Sequence, residues 1–159
     1  MGRHSTALDD WFQRFRHSPA RWLLFFTDPR VLAVVMVTCV AAALYRRRWR
    51  LGAAVVLSPA VAIALVDLLK RVFERRKGIG EFAYPSGHAT VMVVVVGMAV
   101  VVAGLAWWAV LVAVAWWLLG IVGQAVTYHY FTDAIGAVLL GTAVVFVAAL
   151  ISGHPAHRT

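Results

Sequence analysis

One cysteine, Cys39, occurs in 159 residues, so no internal disulfide holds the chain, and the count carries no signal about redox compartment. Acidic residues are few: 7 Asp and Glu stand against 15 Lys and Arg, for a net charge of +8. Lysine is nearly missing too. Only Lys70 and Lys77 occur, seven apart in one loop, and arginine serves elsewhere as the general cation. No internal repeat is visible. The first apolar stretch follows mixed charge and lacks a small-residue cleavage site, so no cleavable signal peptide is expected. Long polar sequence that could form a soluble domain is absent as well. The basic runs are short and lie between apolar segments, which argues against nucleic acid as a partner. Anionic lipid headgroups and the membrane potential explain them more simply.

What the chain does contain is apolar sequence. Hydrophobic residues make up 62% and the mean hydropathy is +0.81, well above a soluble domain. The reading is an all-α integral membrane protein of one domain. Residues 1–30 form an N-terminal segment in which Thr6 to Asp9 mimics a helix start. Leu8, Trp11, Phe12 and Phe15 then share one face, as in an amphipathic helix lying in the interface. Pro19 breaks or restarts it, and Trp22–Phe26 is too short to cross. Residues 31–151 hold five apolar segments: about 31–45, 51–69 (with Pro59 as a tolerated kink), 88–105, 109–127 and 133–151. The valine-rich third is expected to be helical rather than a buried strand. Trp107 and Trp108 mark an interface, and Trp116 and Trp117 are expected to pack in the bundle or face acyl chains. Gly136 and Gly141 offer a small-residue stripe for close packing. Residues 152–159 are a polar tail.

Successive crossings reverse direction. Lys70 ends the second, His88 starts the third, His129 follows the fourth and Asp133 starts the fifth, so all four are expected at one end of the bundle. Ionisable groups at membrane depth are functional candidates by default. In Pro85-Ser86-Gly87-His88, a glycine at a helix start lets backbone N–H groups approach an anion. Ser86 adds a donor hydroxyl, and His88 is placed to donate a proton to a departing oxygen. In His129-Tyr130-Phe131-Thr132-Asp133 the carboxylate can fix the imidazole tautomer and leave a nucleophilic nitrogen. The stretch from Lys70 to Lys77 carries five cations and Glu74, suited to charge building on a phosphate. It equally suits an ordinary basic flank. Asp67 is one turn from Lys70 and a candidate partner for it or for Arg71. A zinc site of His88, His129 and Asp133 is disfavoured by the cations nearby.

The ordered set of Lys70, the basic pair Arg75-Arg76, Pro85-Ser86-Gly87-His88 and His129-x-x-x-Asp133 resembles the type 2 phosphatidic acid phosphatase (PAP2) superfamily over roughly residues 20–150. The resemblance implies a metal-independent lipid phosphatase without cofactor. Its catalytic residues would be His129 (nucleophile, forming a phosphohistidine), His88 (acid) and Asp133 (orienting His129). Phosphate would be bound by Lys70, Lys77, Arg75, Arg76, Ser86 and Gly87. The Ala, Val and Arg bias fits a GC-rich, actinobacterial genome, hence a short bacterial member in the plasma (inner) membrane. The implied partners are membrane lipids and a lipid-phosphate substrate: decaprenyl-phosphoryl phosphoribose of cell-wall synthesis, phosphatidic acid, phosphatidylglycerophosphate or polyprenyl diphosphate. Two positions depart from the family. Lys77-Gly78 stands where Arg-Pro is usual, losing a bidentate fork. Val122-Gly123 stands where Ser-Arg is usual, so the cation of that helix is missing: either the Lys70–Lys77 loop replaces it, with Arg75 or Arg76 reaching the space left by Gly123, or the enzyme is slow, or it prefers a different phosphate. A degenerate, non-catalytic lipid-phosphate-binding or scaffold relative is the alternative. Charge counts do not decide which leaflet the site faces.

Overall fold

Asp28 and Pro29 start the first long helix. The Asp28 carboxylate accepts from the Arg30 N–H at 2.7 Å, and Pro29 takes the first-turn position where no N–H is needed. The computed structural model describes residues 19–73, 76–77, 81–82, 85–127 and 131–153. The amphipathic stretch Leu8–Phe15 and the tail beyond Gly153 lie outside them. Helix α1 runs Pro29–Tyr45, α2 Trp49–Phe73, α3 Gly87–Val102, α4 Trp107–Thr127 and α5 Phe131–Ile151. A 3-10 helix, Pro19–Thr27, precedes α1. Between α2 and α3 two residues, Arg76–Lys77, pair antiparallel with Glu81–Phe82, Arg76 facing Phe82 and Lys77 facing Glu81.

Each of the five apolar segments is helical. By length and composition α2, α4 and α5 can cross a membrane, whereas α1 and α3 are shorter apolar helices. These helices make the chain a membrane protein, and their outward faces carry large apolar side chains such as Leu57, Leu68, Leu139 and Phe146. Boundaries shift for local reasons. α2 continues to Phe73, with Lys70 and Arg71 in its last turn, where cations suit the carbonyl end. α3 stops at Val102 because Gly104 turns left-handed (φ 80°). Gly104 N–H then donates to Val101 O and Leu105 N–H to Val100 O, closing the helix. α1 closes the same way, but there the left-handed residue is Arg47 (φ 56°), with Arg48 N–H donating to Ala43 O at 2.8 Å.

α3 is the centre of the bundle and packs against α1, α2, α4 and α5. Its run Val93–Val96 is buried. β-branched residues are stiff rather than impossible in a helix, and away from water a helix alone satisfies its own backbone. α3 and α5 approach closely because glycines alternate with valines across the contact. A Cβ on Gly97 would lie 2.8 Å from Val145 Cγ2, and one on Gly141 would lie 2.6 Å from Val93 Cγ1. Gly136 is buried as well. Gly97 is a close-packing position that the expected stripe did not include.

Gly141→Ala should therefore lower the unfolding temperature in detergent, by overpacking worth about 1–3 kcal/mol. Adding Val93→Ala should restore part of that loss. A double variant less stable than Gly141→Ala alone would show that the contact is not steric.

Candidate functional site

The end of α2 and the starts of α3 and α5 meet at one end of the bundle. The clearest link is between the two polar motifs. Ser86 N–H donates to the backbone carbonyl of Asp133 at 3.4 Å, so the first turns of α3 and α5 abut. Both residues are buried, Ser86 at 1% and Asp133 at 0% exposure. The Ser86 carbonyl accepts from Thr90 twice, from its N–H at 3.0 Å and its hydroxyl at 2.8 Å. Ser86 precedes α3 in extended conformation, as an N-cap does, yet its hydroxyl caps nothing. Among the described residues Ser86 Oγ is buried without a hydrogen-bond partner. A hydroxyl in that state costs about 1–3 kcal/mol of desolvation until something accepts or donates.

One turn away a cavity of about 690 Å³ opens between α1, α2 and α3. Its polar lining is Thr27, Asp67, Lys70 and His88 with the Gly87 backbone, and its apolar walls include Leu32, Ile63, Val66 and Val91. Lys70 Nζ lies 3.9 Å from Asp67 Oδ1, with 30% of the Lys70 side chain and 62% of the Asp67 side chain exposed. Such a wet pair contributes little stability and leaves Lys70 free to meet an anion. His88 is exposed. Among the described residues packing does not demand Gly87, since an added Cβ would meet only Val66 Cγ1 at an ordinary 3.8 Å. A glycine there leaves the backbone N–H groups of the first turn open to a ligand.

The predicted residues therefore fall into four groups. Lys70, Gly87 and His88 share the cavity, and Ser86 and Asp133 share the buried contact beside it. Arg76 and Lys77 are known by backbone, in the short strand opposite Phe82 and Glu81. His129 and Arg75 lie outside the described residues. Among the described residues no three His, Cys, Asp or Glu side chains group to hold a metal ion.

The expected space at Gly123 does not exist. The 3-10 helix lies against α4 there, and a Cβ on Gly123 would stand 2.7 Å from the Leu23 carbonyl carbon and 2.9 Å from its oxygen. Two side chains of α4 hold that segment in place. Trp116 Nε1 donates to Phe26 O at 2.9 Å, its ring meeting Phe26 edge-on at 5.2 Å, and Gln124 Nε2 donates to Thr27 Oγ1 at 2.8 Å. Trp116 thus packs inside the bundle. Gln124 was the available sequence signal, a lone amide in an apolar helix that needs a partner.

Gly123→Arg, which restores the residue usual in the resembled family, is accordingly expected to lower thermal stability and expose Pro19–Thr27 to protease without raising activity. Unchanged stability would mean that the segment yields easily. No protein-family model matches this chain, and no curated protein and no solved structure matches it either.

Proposed function

We propose that the protein is a metal-independent phosphatase of the plasma membrane, with all five helices crossing, acting on a lipid or polyprenyl phosphate monoester. The observation that carries this reading is the convergence of Lys70, Gly87 and His88 on one cavity with largely apolar walls. A phosphate there would meet Lys70 and the first turn of α3, and a hydrocarbon chain would lie against Leu32, Ile63 and Val91. α3 has 16 residues and is roughly 24 Å long, short of a hydrocarbon core of about 30 Å. His88 would therefore lie near the edge of the hydrocarbon core, just beneath the level of lipid phosphates, so that a phosphate would reach it by a small inward displacement.

In this reading a His129 nitrogen attacks phosphorus, the phosphorus–oxygen bond to the lipid breaks, and His88 gives its proton to the leaving alkoxide. Water then attacks the phosphohistidine, passing a proton to His88 and freeing His129 and inorganic phosphate. Asp133 orients His129, and Lys70 with the Ser86 hydroxyl and the Gly87 N–H stabilises charge on the phosphoryl oxygens. Lys77, Arg75 and Arg76 complete the cationic side. Candidate substrates are decaprenyl-phosphoryl phosphoribose, phosphatidic acid, phosphatidylglycerophosphate and polyprenyl diphosphate. The packing of Leu23 against Gly123 favours a second reading, a relative that binds lipid phosphate without turning it over, because no cation can stand at that position.

Purified protein in detergent with EDTA should release phosphate from at least one of these lipids, and His129→Ala should lose several orders of magnitude. Labelled phosphate on His129 after a quench that avoids acid would establish the intermediate. Folded protein that binds but never releases phosphate would leave the second reading. Ser86→Ala should leave the unfolding temperature unchanged or slightly raised, since it deletes an unpartnered buried hydroxyl. It should also cut kcat/KM by about 10-fold or more, the worth of a hydrogen bond to a charged group.

A further inference from the structure

At the opposite end of the bundle a second cavity, about 450 Å³, lies between the α1–α2 turn and the end of α5. Arg47, Arg48 and Arg50 line it together with Leu51, Ser152 and Gly153. Arg46 is already used, its Nη1 donating to Val102 O at 2.9 Å at the end of α3. Among the described residues the other three have no carboxylate to pair with. The acids with described side chains, Asp28, Asp67 and Asp133, lie at the far ends of α1, α2 and α5, and the one salt bridge among the described residues is Lys70–Asp67. Arg47 also occupies a left-handed position (φ 56°) at which glycine would be less strained. The fold therefore keeps a guanidinium where the backbone favours none.

Directly below, between the same two helices, runs an apolar groove of about 380 Å³. It begins at Ala54 and Ile151, one turn or less from Leu51 and Ser152, and extends to Leu65 on α2. Twelve residues of helix, Ala54 to Leu65, rise about 16 Å from first to last, close to half of a hydrocarbon core of about 30 Å, that is, one leaflet. Tyr45, Trp49 and Trp107 are exposed at this end, the level at which amphipathic rings meet headgroups. A cationic pocket continuous with a chain-sized apolar groove has the shape and charge of an anionic phospholipid.

We propose that the Arg47–Arg48–Arg50 cavity and the α2–α5 groove form a binding site for an anionic phospholipid, headgroup phosphate on the arginines and one acyl chain between α2 and α5. It is separate from the candidate active site and independent of the phosphatase reading. Guanidinium forks suit phosphate oxygens, and the groove selects a lipid over a free anion.

The test is thermal stability and native mass spectrometry of the full chain in detergent, with added phosphatidylglycerol, phosphatidylcholine of the same acyl chains, or inorganic phosphate. Phosphatidylglycerol should raise the unfolding temperature and remain bound as a single copy, whereas phosphatidylcholine and phosphate should do neither. Arg47→Gly, which relaxes the backbone while removing charge, and Arg47→Gly/Arg48→Gln should weaken phosphatidylglycerol binding at least 10-fold. Ala143→Phe, which fills the groove, should do the same with every arginine intact. Equal stabilisation by phosphatidylcholine would overturn the proposal, as would an equal effect of inorganic phosphate or undiminished phosphatidylglycerol binding by Arg47→Gly. If Ala143→Phe fails to fold, the choice between phosphatidylglycerol and inorganic phosphate with wild-type protein still decides whether a lipid or a free anion is bound.

Discussion

The close approach of α3 and α5 is the constraint on which the candidate site depends. Gly97 and Gly141 each receive a valine from the facing helix at distances that any larger residue would forbid. In a bilayer, where apolar side chains gain little by leaving lipid, such contacts carry the association. With the two helices so near, their first turns meet, and a backbone hydrogen bond joins Ser86 to Asp133. Residues 47 positions apart become neighbours because two helix faces lack side chains.

Much of the helical framework was legible because charge and aromatic residues bracket each apolar run. Arg46 to Arg50 separate α1 from α2, and Trp107 opens α4. The pairing of Asp67 with Lys70 was legible as well, since three positions along a helix share a face. The ends of α1 and α3 were harder to read. Asp28-Pro29 and Gly104 are ordinary cap signals, but the apolar runs beside them blurred the boundaries. The convergence of Lys70 and His88 on one cavity followed from alternating helix direction. What Gly123 faces did not follow from any local pattern, because a glycine says only that something comes near, not what. Here it is the Leu23 backbone, a hundred residues away in sequence.

The helices differ in length, and that shapes both ends. α2 has 25 residues and α3 has 16, a difference of roughly 13 Å along the axis. At the Arg46 end α3 is held by a guanidinium on its last carbonyl. The mismatch therefore falls at the other end, where α2 overshoots and its last turns, with Asp67 and Lys70, flank the start of α3. The cavity occupies that step. Among the described residues its walls come from the end of the 3-10 helix and from α1, α2 and α3, so helices frame its polar residues.

The docking of Pro19–Thr27 has a consequence for biogenesis. Its anchors on α4 are 90 and 97 residues further along the chain. Translation runs from the N-terminus, so this stretch emerges first among the described elements, and its resting place is made only after the three intervening helices α1 to α3 have been synthesised. Until then Phe26 and Thr27 have no Trp116 or Gln124 to meet. An early element thus waits for a late one, and a ribosome stalled before α4 would leave Pro19–Thr27 without its anchors.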